Sequence, residues 1–349
     1  MATHTADQKA LVNLAALESW MDEQGLEQGA IGHVAKLAGG TQNVILRFRR
    51  GERDFVLRRP PPNPRPESNE TMRREARVLQ ALGTTNVPHP RLIAACGDIE
   101  PLGTSFYLME PIDGFNATSG LPSLHANSAE IRHRMGLAIV EGAAALGSVD
   151  YRAVGLSDFG KPDNYLARQV SRWQSQLAGY ERYEGWPGVA GLPGVDVISN
   201  YLDSHCPSDF HAGIIHGDYS LGNVMYRNDG PELAAIIDWE LATIGDPLID
   251  LGWLLATWRG VPPVDLSVLV VEPWQGFPAP EELVAHYAAH SDRDLSAIDW
   301  YMILACFKLG IILEGTFARA CAGRDPMDTG LALHETASRL FRRALHRIG

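Results

Sequence analysis

His216-Gly217-Asp218-Tyr219-Ser220-Leu221-Gly222-Asn223 decides how this chain is read. The stretch follows the apolar pair Ile214-Ile215, so a short strand runs into a polar loop carrying Asp218 and Asn223. A second acid, Asp238, comes further along behind Ile236-Ile237, again at the end of a strand-like run. Asp and Asn are also ordinary turn and cap residues, and that is the plain structural alternative. The order of the pieces argues for more than turns: apolar strand, polar loop with Asp and Asn, second apolar strand ending in Asp.

That order supplies what phosphoryl transfer to a hydroxyl needs. One carboxylate accepts the hydroxyl proton, while an Asn oxygen and a later Asp hold magnesium on nucleotide phosphates. Asp218 is the expected base, and Asn223 and Asp238 the expected metal ligands, one neutral and one anionic hard oxygen.

Composition narrows the setting. With 349 residues the chain has material for about two domains and a sizeable core. Its formal net charge of −12 argues against nucleic acid as the main partner, which wants a basic face. The four cysteines, Cys96, Cys206, Cys306 and Cys321, form no Cys-x2-Cys pair. No zinc site or disulfide framework is expected, and a reducing cytoplasm is the natural compartment. Met1 to Ala10 lacks the apolar core of a signal peptide. The run Trp300 to Leu313 contains Lys308 and is too short to span a bilayer, so it reads as a buried helix and no membrane partner is expected.

Outward from the opening loop, the first part of the chain reads as a small sheet with one inserted helix. Leu11, Leu14, Leu17 and Met21 give a helix over 10–25. Gly39-Gly40 predicts a turn before a strand at Val44 to Phe48, and Asp54 to Arg58 a second strand. After the Pro-rich segment Pro60 to Pro66, Ser68 or Asn69 is expected to cap a helix that runs to Leu82 and ends at Gly83. Arg91 to Ala95 and Ser105 to Met109 read as strands. Helical patterns dominate thereafter, over 128–146, 163–181, 194–205, 247–258, 280–290, 297–320 and 330–347. The strands leading to Asp218 and Asp238 are the only strand-like pieces of that part. The boundary is placed so that 1–111 forms a nucleotide-binding lobe and 112–349 a catalytic and substrate-binding lobe.

These motifs together resemble the aminoglycoside phosphotransferase and choline kinase superfamily, over nearly the whole chain. Phe55-Val-Leu-Arg-Arg-Pro-Pro61, Arg168-Gln-Val-Ser-Arg-Trp173 and Gly245-Asp-Pro-Leu-Ile-Asp250 look like the branch of kinase-like domains fused to acyl-CoA dehydrogenases. No dehydrogenase module is expected here, since residue 349 ends the kinase-like part. The resemblance implies an α+β, bilobal, protein-kinase-like fold with a small antiparallel-sheet lobe and a large helical lobe. It implies an ATP- and Mg²⁺-dependent phosphotransferase acting on a hydroxylated small molecule. Hydroxyacyl-CoA or a related metabolite is favoured over an aminoglycoside. ATP against GTP is left open, as is the oligomeric state, a homodimer included.

Further site residues follow from the same reading. Gly40 and Thr41, in Gly39-Gly-Thr-Gln-Asn43, would cover phosphates, although an ordinary hairpin turn explains them as well. Arg58 stands where the family places a phosphate-binding Lys, with Glu75 as its candidate partner. Met109 and Glu110 would offer backbone groups to adenine. His216 and Asp250 are read as supports of the loop, and Glu240 as a group that could reach metal-bound water. Arg168 and Arg172 could meet an anionic substrate group, against the simpler reading of a solvated helix face. The missing Lys and imperfect glycine loop keep a second reading alive, a non-catalytic pseudokinase that binds nucleotide or a partner protein.

Overall fold

In a computed structural model, residues 12–37, 43–259 and 269–349 are described. Two compact units emerge, one of residues 1–113 with 234–242 and one of 114–233 with 243–349. The segment 234–242, which carries Asp238, thus packs with the first unit, whereas a division at residue 111 puts it wholly with the second.

The first unit is a five-stranded antiparallel sheet in the order β1-β2-β3-β5-β4. Its strands are β1 (Gly32–Lys36), β2 (Val44–Arg50), β3 (Arg53–Arg59), β4 (Leu92–Cys96) and β5 (Phe106–Met109), with helices α1 (Leu14–Glu23) and α2 (Ser68–Leu82). Alternation decides which face each residue serves. In β2, Val44, Leu46, Phe48 and Arg50 are buried. Phe55 and Leu57 of β3 and Phe106 and Leu108 of β5 join Leu17, Trp20 and Met21 of α1 in one apolar core. The buried Arg50 guanidinium ties α1 and its following loop to the sheet, donating to the carbonyls of Gly29, Glu18 and Leu26 and to Asp22 Oδ1.

Three details depart from expectation. Helix α2 does begin at Ser68, but neither Ser68 nor Asn69 caps it. The Asn69 side chain is drawn elsewhere, and its Oδ1 accepts the Ser105 N–H at 2.9 Å. Strand β1 has no counterpart in the sequence reading, because its mostly exposed pattern leaves no apolar alternation to detect. Of the two strand-like pieces anticipated in that part, the one before Asp238 is Leu233–Ile236 (β8), and short strands also occur at Val224–Tyr226 (β7) and Thr243–Gly245 (β9), which were not anticipated. Strand β9 pairs antiparallel with β6 (Gly213–Ile215), the strand that delivers the opening loop.

The second unit is mainly helical, so the chain is α+β. Its principal helices are α3 (Ala129–Ser148), α4 (Ala167–Ala178), α5 (Val195–Ser204), α6 (Leu248–Thr257), α7 (Pro280–His290), α8 (Ile298–Cys321) and α9 (Met327–Ile348). Among the described residues α8 alone is long and apolar enough to cross a membrane, and most of it is buried, packed on α6 and α9. Helix α6 is buried along its whole length and meets α8 through a glycine. A Cβ on Gly252 would lie 2.6 Å from the Tyr301 carbonyl carbon and oxygen, closer than side chains are found. That close approach brings the next residue, Trp253, onto Lys308, which lies two helical turns beyond Tyr301 in α8.

Gly252→Ala is therefore expected to lower stability by about 1–3 kcal/mol through overpacking. A urea midpoint unchanged from wild type would contradict the close contact.

Candidate functional site

One group of candidate residues lies in the first unit and is built on β3. Since Phe55 and Leu57 point into the core with α1, Val56 and Arg58 point to the other face, where α2 lies. Arg58 is directly opposite Tyr107 of β5 in the register. Its guanidinium is buried between two carboxylates. Nε lies 3.0 Å from Glu75 Oε2, and Nη2 donates to Asp238 Oδ1 at 2.5 Å. Glu240 Oε2 is further, at 3.9 Å. Glu75 is 0% exposed and also accepts the Tyr107 hydroxyl at 2.8 Å. Burial pushes the Glu75 carboxyl up to about 7, against the lowering pull of Arg58 and Tyr107. Burial also works against the Arg58 charge, but Glu75, Tyr107 and Asp238 outweigh it, so the guanidinium stays protonated.

Asp238 adopts a left-handed backbone with φ 67°, uncommon for a residue with a Cβ. The turn directs β8 into the 3-10 segment Trp239–Leu241, where the Trp239 indole donates to the Ile236 carbonyl at 3.0 Å. Glu240 helps line a cavity of about 320 Å³ together with Ser68, Thr71 and Arg65. Met109 ends β5, paired with Val56 and Leu92. The Glu110 N–H donates to Arg91 at 2.9 Å and its carboxylate pairs with Arg53. Gly40 and Thr41 lie outside the described residues.

The other group lies in the second unit. Buried strand β6 ends at Ile215, and the loop that follows is fixed from below by α6. The Asp250 carboxylate accepts the backbone N–H of His216 at 2.6 Å and of Gly217 at 2.9 Å. Gly217 has φ +91°, a conformation glycine takes without strain, and this sends the chain into Asp218. The Asp218 N–H donates to His216 Nδ1 at 3.3 Å, so His216 is buried as part of the turn.

The half-buried Asp218 carboxylate is oriented through both oxygens. Oδ1 accepts the Trp253 indole N–H at 2.7 Å and Oδ2 the Asn223 amide N–H at 2.8 Å. Asn223 also donates to the Asp218 carbonyl at 2.8 Å. Its nitrogen is thus committed to Asp218, and its Oδ1 is the atom left for a cation. Burial raises the Asp218 pKa, opposed by His216, Lys308, Asn223 and Trp253. Lys308 Nζ donates to the Gly217 carbonyl at 3.0 Å and lies 4.3 Å from the Trp253 ring centroid.

Arg168 and Arg172 share one face of α4 and line a depression with Tyr165 and Ser171. The Arg168 guanidinium donates to the carbonyls of Lys161 and Asp163, fixing the loop that enters the helix. Arg172 lies over the Trp173 ring.

Four residues absent from the sequence reading of the site take part in these groups. Tyr107 hydrogen-bonds Glu75. Trp253 holds Asp218, and its i, i+3 spacing from Asp250 was the available signal. Lys308 was conspicuous as the one charge in the run 300–313. Asn116 carried no signal, yet its side-chain amide donates to the carbonyls of Gly222 and Val224 at 2.8 and 3.0 Å, binding the far end of the loop.

Comparison with known proteins agrees with this architecture. Residues 33–287 match the model of the phosphotransferase enzyme family. Acyl-CoA dehydrogenase family member 11 of Rattus norvegicus is 29% identical over 95% of this chain and 44% of its own length. Family member 10 of Mus musculus is 29% identical over 82% of this chain and 26% of its own length. The chain therefore spans less than half the length of these relatives. A crystal structure of an aminoglycoside phosphotransferase-like protein from Ralstonia eutropha has 28% identity and a TM-score of 0.76, covering 96% of this chain and 99% of that one. An ethanolamine kinase from Plasmodium vivax, 14% identical with a TM-score of 0.56, covers 90% of this chain and 83% of its own and shares the fold. The fold is thus protein-kinase-like.

Removing Glu75 leaves Arg58 buried with one carboxylate fewer, so Glu75→Ala is expected to cost about 3–5 kcal/mol, and Glu75→Gln less. Equal denaturation midpoints for wild type and Glu75→Ala would contradict the role of this ion pair.

Proposed function

Because this chain belongs to the phosphotransferase enzyme family, we propose that it transfers the γ-phosphoryl group of ATP to a hydroxyl of a small molecule. The observation that carries the reading is the Asp218 carboxylate, held through both oxygens on a loop that Asp250 pins. Asp218 orients the acceptor hydroxyl and accepts its proton. Burial raises its pKa, which brings it closer to working pH and strengthens it as a base. His216 and Asp250 keep the loop in shape.

Asn223 and Asp238 are the oxygen donors assigned to Mg²⁺, through Asn223 Oδ1 and the Asp238 oxygen that Arg58 does not hold. A divalent cation on such donors would neutralise charge on the nucleotide phosphates. Arg58 takes the place of the usual Lys and keeps Asp238 oriented, with Glu75 supporting it; Glu240 is assigned to metal-bound water. Gly40 and Thr41 are assigned to the phosphates and the backbone of Met109 and Glu110 to adenine. For Glu110 that contact falls to the carbonyl, because its N–H is engaged with Arg91.

The acceptor is a hydroxyacyl-CoA or related hydroxylated metabolite. The names of the fused relatives support this, as do the cations of Arg168 and Arg172, which suit an anionic acceptor better than a polycationic aminoglycoside. The four cysteines are free, which supports a reducing compartment. A competing non-catalytic reading rests on Arg58, whose two carboxylate partners hold the cation that should meet phosphate.

Phosphorus NMR of ATP consumption across a library of hydroxyacyl-CoA thioesters, sugars and aminoglycosides tests the reading. Acceptor-dependent formation of ADP and a phosphate ester is expected, abolished by EDTA. Nucleotide binding without turnover of any acceptor would favour the non-catalytic reading. Asp238→Ala is expected to weaken the Mg·ATP thermal shift, and an unchanged Mg²⁺ dependence would refute its assignment. The rate should fall as pH drops through a value above 3.8, the ordinary carboxylate value, because the Asp218 pKa is raised. An acid limb at or below that value would contradict the role of burial.

A further inference from the structure

Lys308 is the half-buried charge that the functional reading above leaves unused. Its ammonium lies 4.3 Å from the Trp253 ring centroid and 5.6 Å from that of Trp173. It donates to the Gly217 carbonyl at 3.0 Å, within the turn that Asp250 holds from the other side. Among the described residues no carboxylate comes within ion-pair distance of it, so its charge acts over longer range. The groups that face it are Asp218 and the buried Asp250 on the acidic side and Arg172 of α4 on the basic side. His216 of the same loop acts on both carboxylates.

We propose that Lys308 is a positioning residue for Asp218, acting through two contacts that converge on that carboxylate. One is the hydrogen bond to Gly217, which fixes the peptide leading into Asp218. The other is the cation–π contact with Trp253, whose indole N–H binds Asp218 Oδ1. The ammonium also supplies positive charge that offsets the desolvation of Asp218 and favours its ionised form. A mere core lysine would extend its ammonium to solvent; this one is turned between two indoles toward the loop.

Burial pushes the Lys308 amine down to about 8, with Asp218 and Asp250 pulling the other way and Arg172 adding to the fall. The charged form is therefore lost as pH rises through that region, and the support given to Asp218 goes with it.

The catalytic side of this inference rests on the phosphotransfer reading, so its test has one arm that does not. In the first arm the indole N–H resonance of Trp253, assigned with Trp253→Phe, is followed by ¹⁵N NMR between about pH 6.5 and 9.5. Wild type is expected to show a step near 8, absent from both Lys308→Met and Lys308→Arg. No step in wild type, or the same step in Lys308→Met, overturns the proposal, since in the latter case a group other than Lys308 titrates. In the second arm phosphate release from Mg·ATP is measured with water as acceptor. Lys308→Met should lower kcat about tenfold or more with the KM for Mg·ATP within about threefold, while Lys308→Arg should retain activity and lose the alkaline limb. Wild-type kcat in Lys308→Met would also overturn it. Absence of wild-type turnover with water and with every acceptor of the library, with the NMR step present, would count against the phosphotransfer reading alone.

Discussion

The Asp250 carboxylate receiving two backbone N–H groups is the constraint on which the loop geometry depends. His216 N and Gly217 N belong to a buried turn, and both donate to the Asp250 carboxylate. A buried carboxylate and two buried amides are each costly alone, and together they satisfy one another. Burial raises the Asp250 pKa, and the two N–H bonds oppose that rise by favouring the ionised form. Helix α6 is therefore both core and scaffold. Asp250 fixes the start of the loop, Trp253 one turn later fixes Asp218, and Gly252 between them lets α6 press against α8.

Arg58 plays the matching part in the first unit. A lysine there would present a compact charge with three donors and no fixed plane. The planar guanidinium engages Glu75 through Nε and Asp238 through Nη2 at once. The arginine thus couples the helix α2 carboxylate to the Asp238 turn. Its nearly complete burial explains why truncating a partner is costly although replacing the whole ion pair need not be.

Much of this was legible in the sequence, for identifiable reasons. Helices α3 and α6 to α9 carry long apolar patterns, and their observed bounds differ from the expected ones by a few residues at most. The strands before Asp218 and Asp238 were legible as the apolar runs ending at Ile215 and Ile236, where β6 and β8 end. Strand β1 and the strands at 224–226 and 243–245 were not legible, being exposed or only three residues long. The capping expectation at Ser68 and Asn69 failed because a tertiary bond to Ser105 competes for Asn69. Asn116, Tyr107 and Lys308 act on residues far away in sequence, and spacing within one helix or loop cannot disclose such partners. Gly40 and Thr41 lie outside the described residues, so the phosphate-covering turn stays a sequence expectation.

The central claim is that the loop from His216 to Asn223 presents a carboxylate poised to take a hydroxyl proton. Asp218→Asn isolates it, since asparagine can still accept from Trp253 and leaves the Asn223 backbone contact in place. The decisive measurement compares transfer of labelled γ-phosphate from ATP to an acceptor with ATP affinity by calorimetry, in wild type and Asp218→Asn. The account predicts a loss of turnover on the order of 10²–10⁴ with affinity nearly unchanged. Retained turnover, or lost affinity in a folded variant, would contradict it.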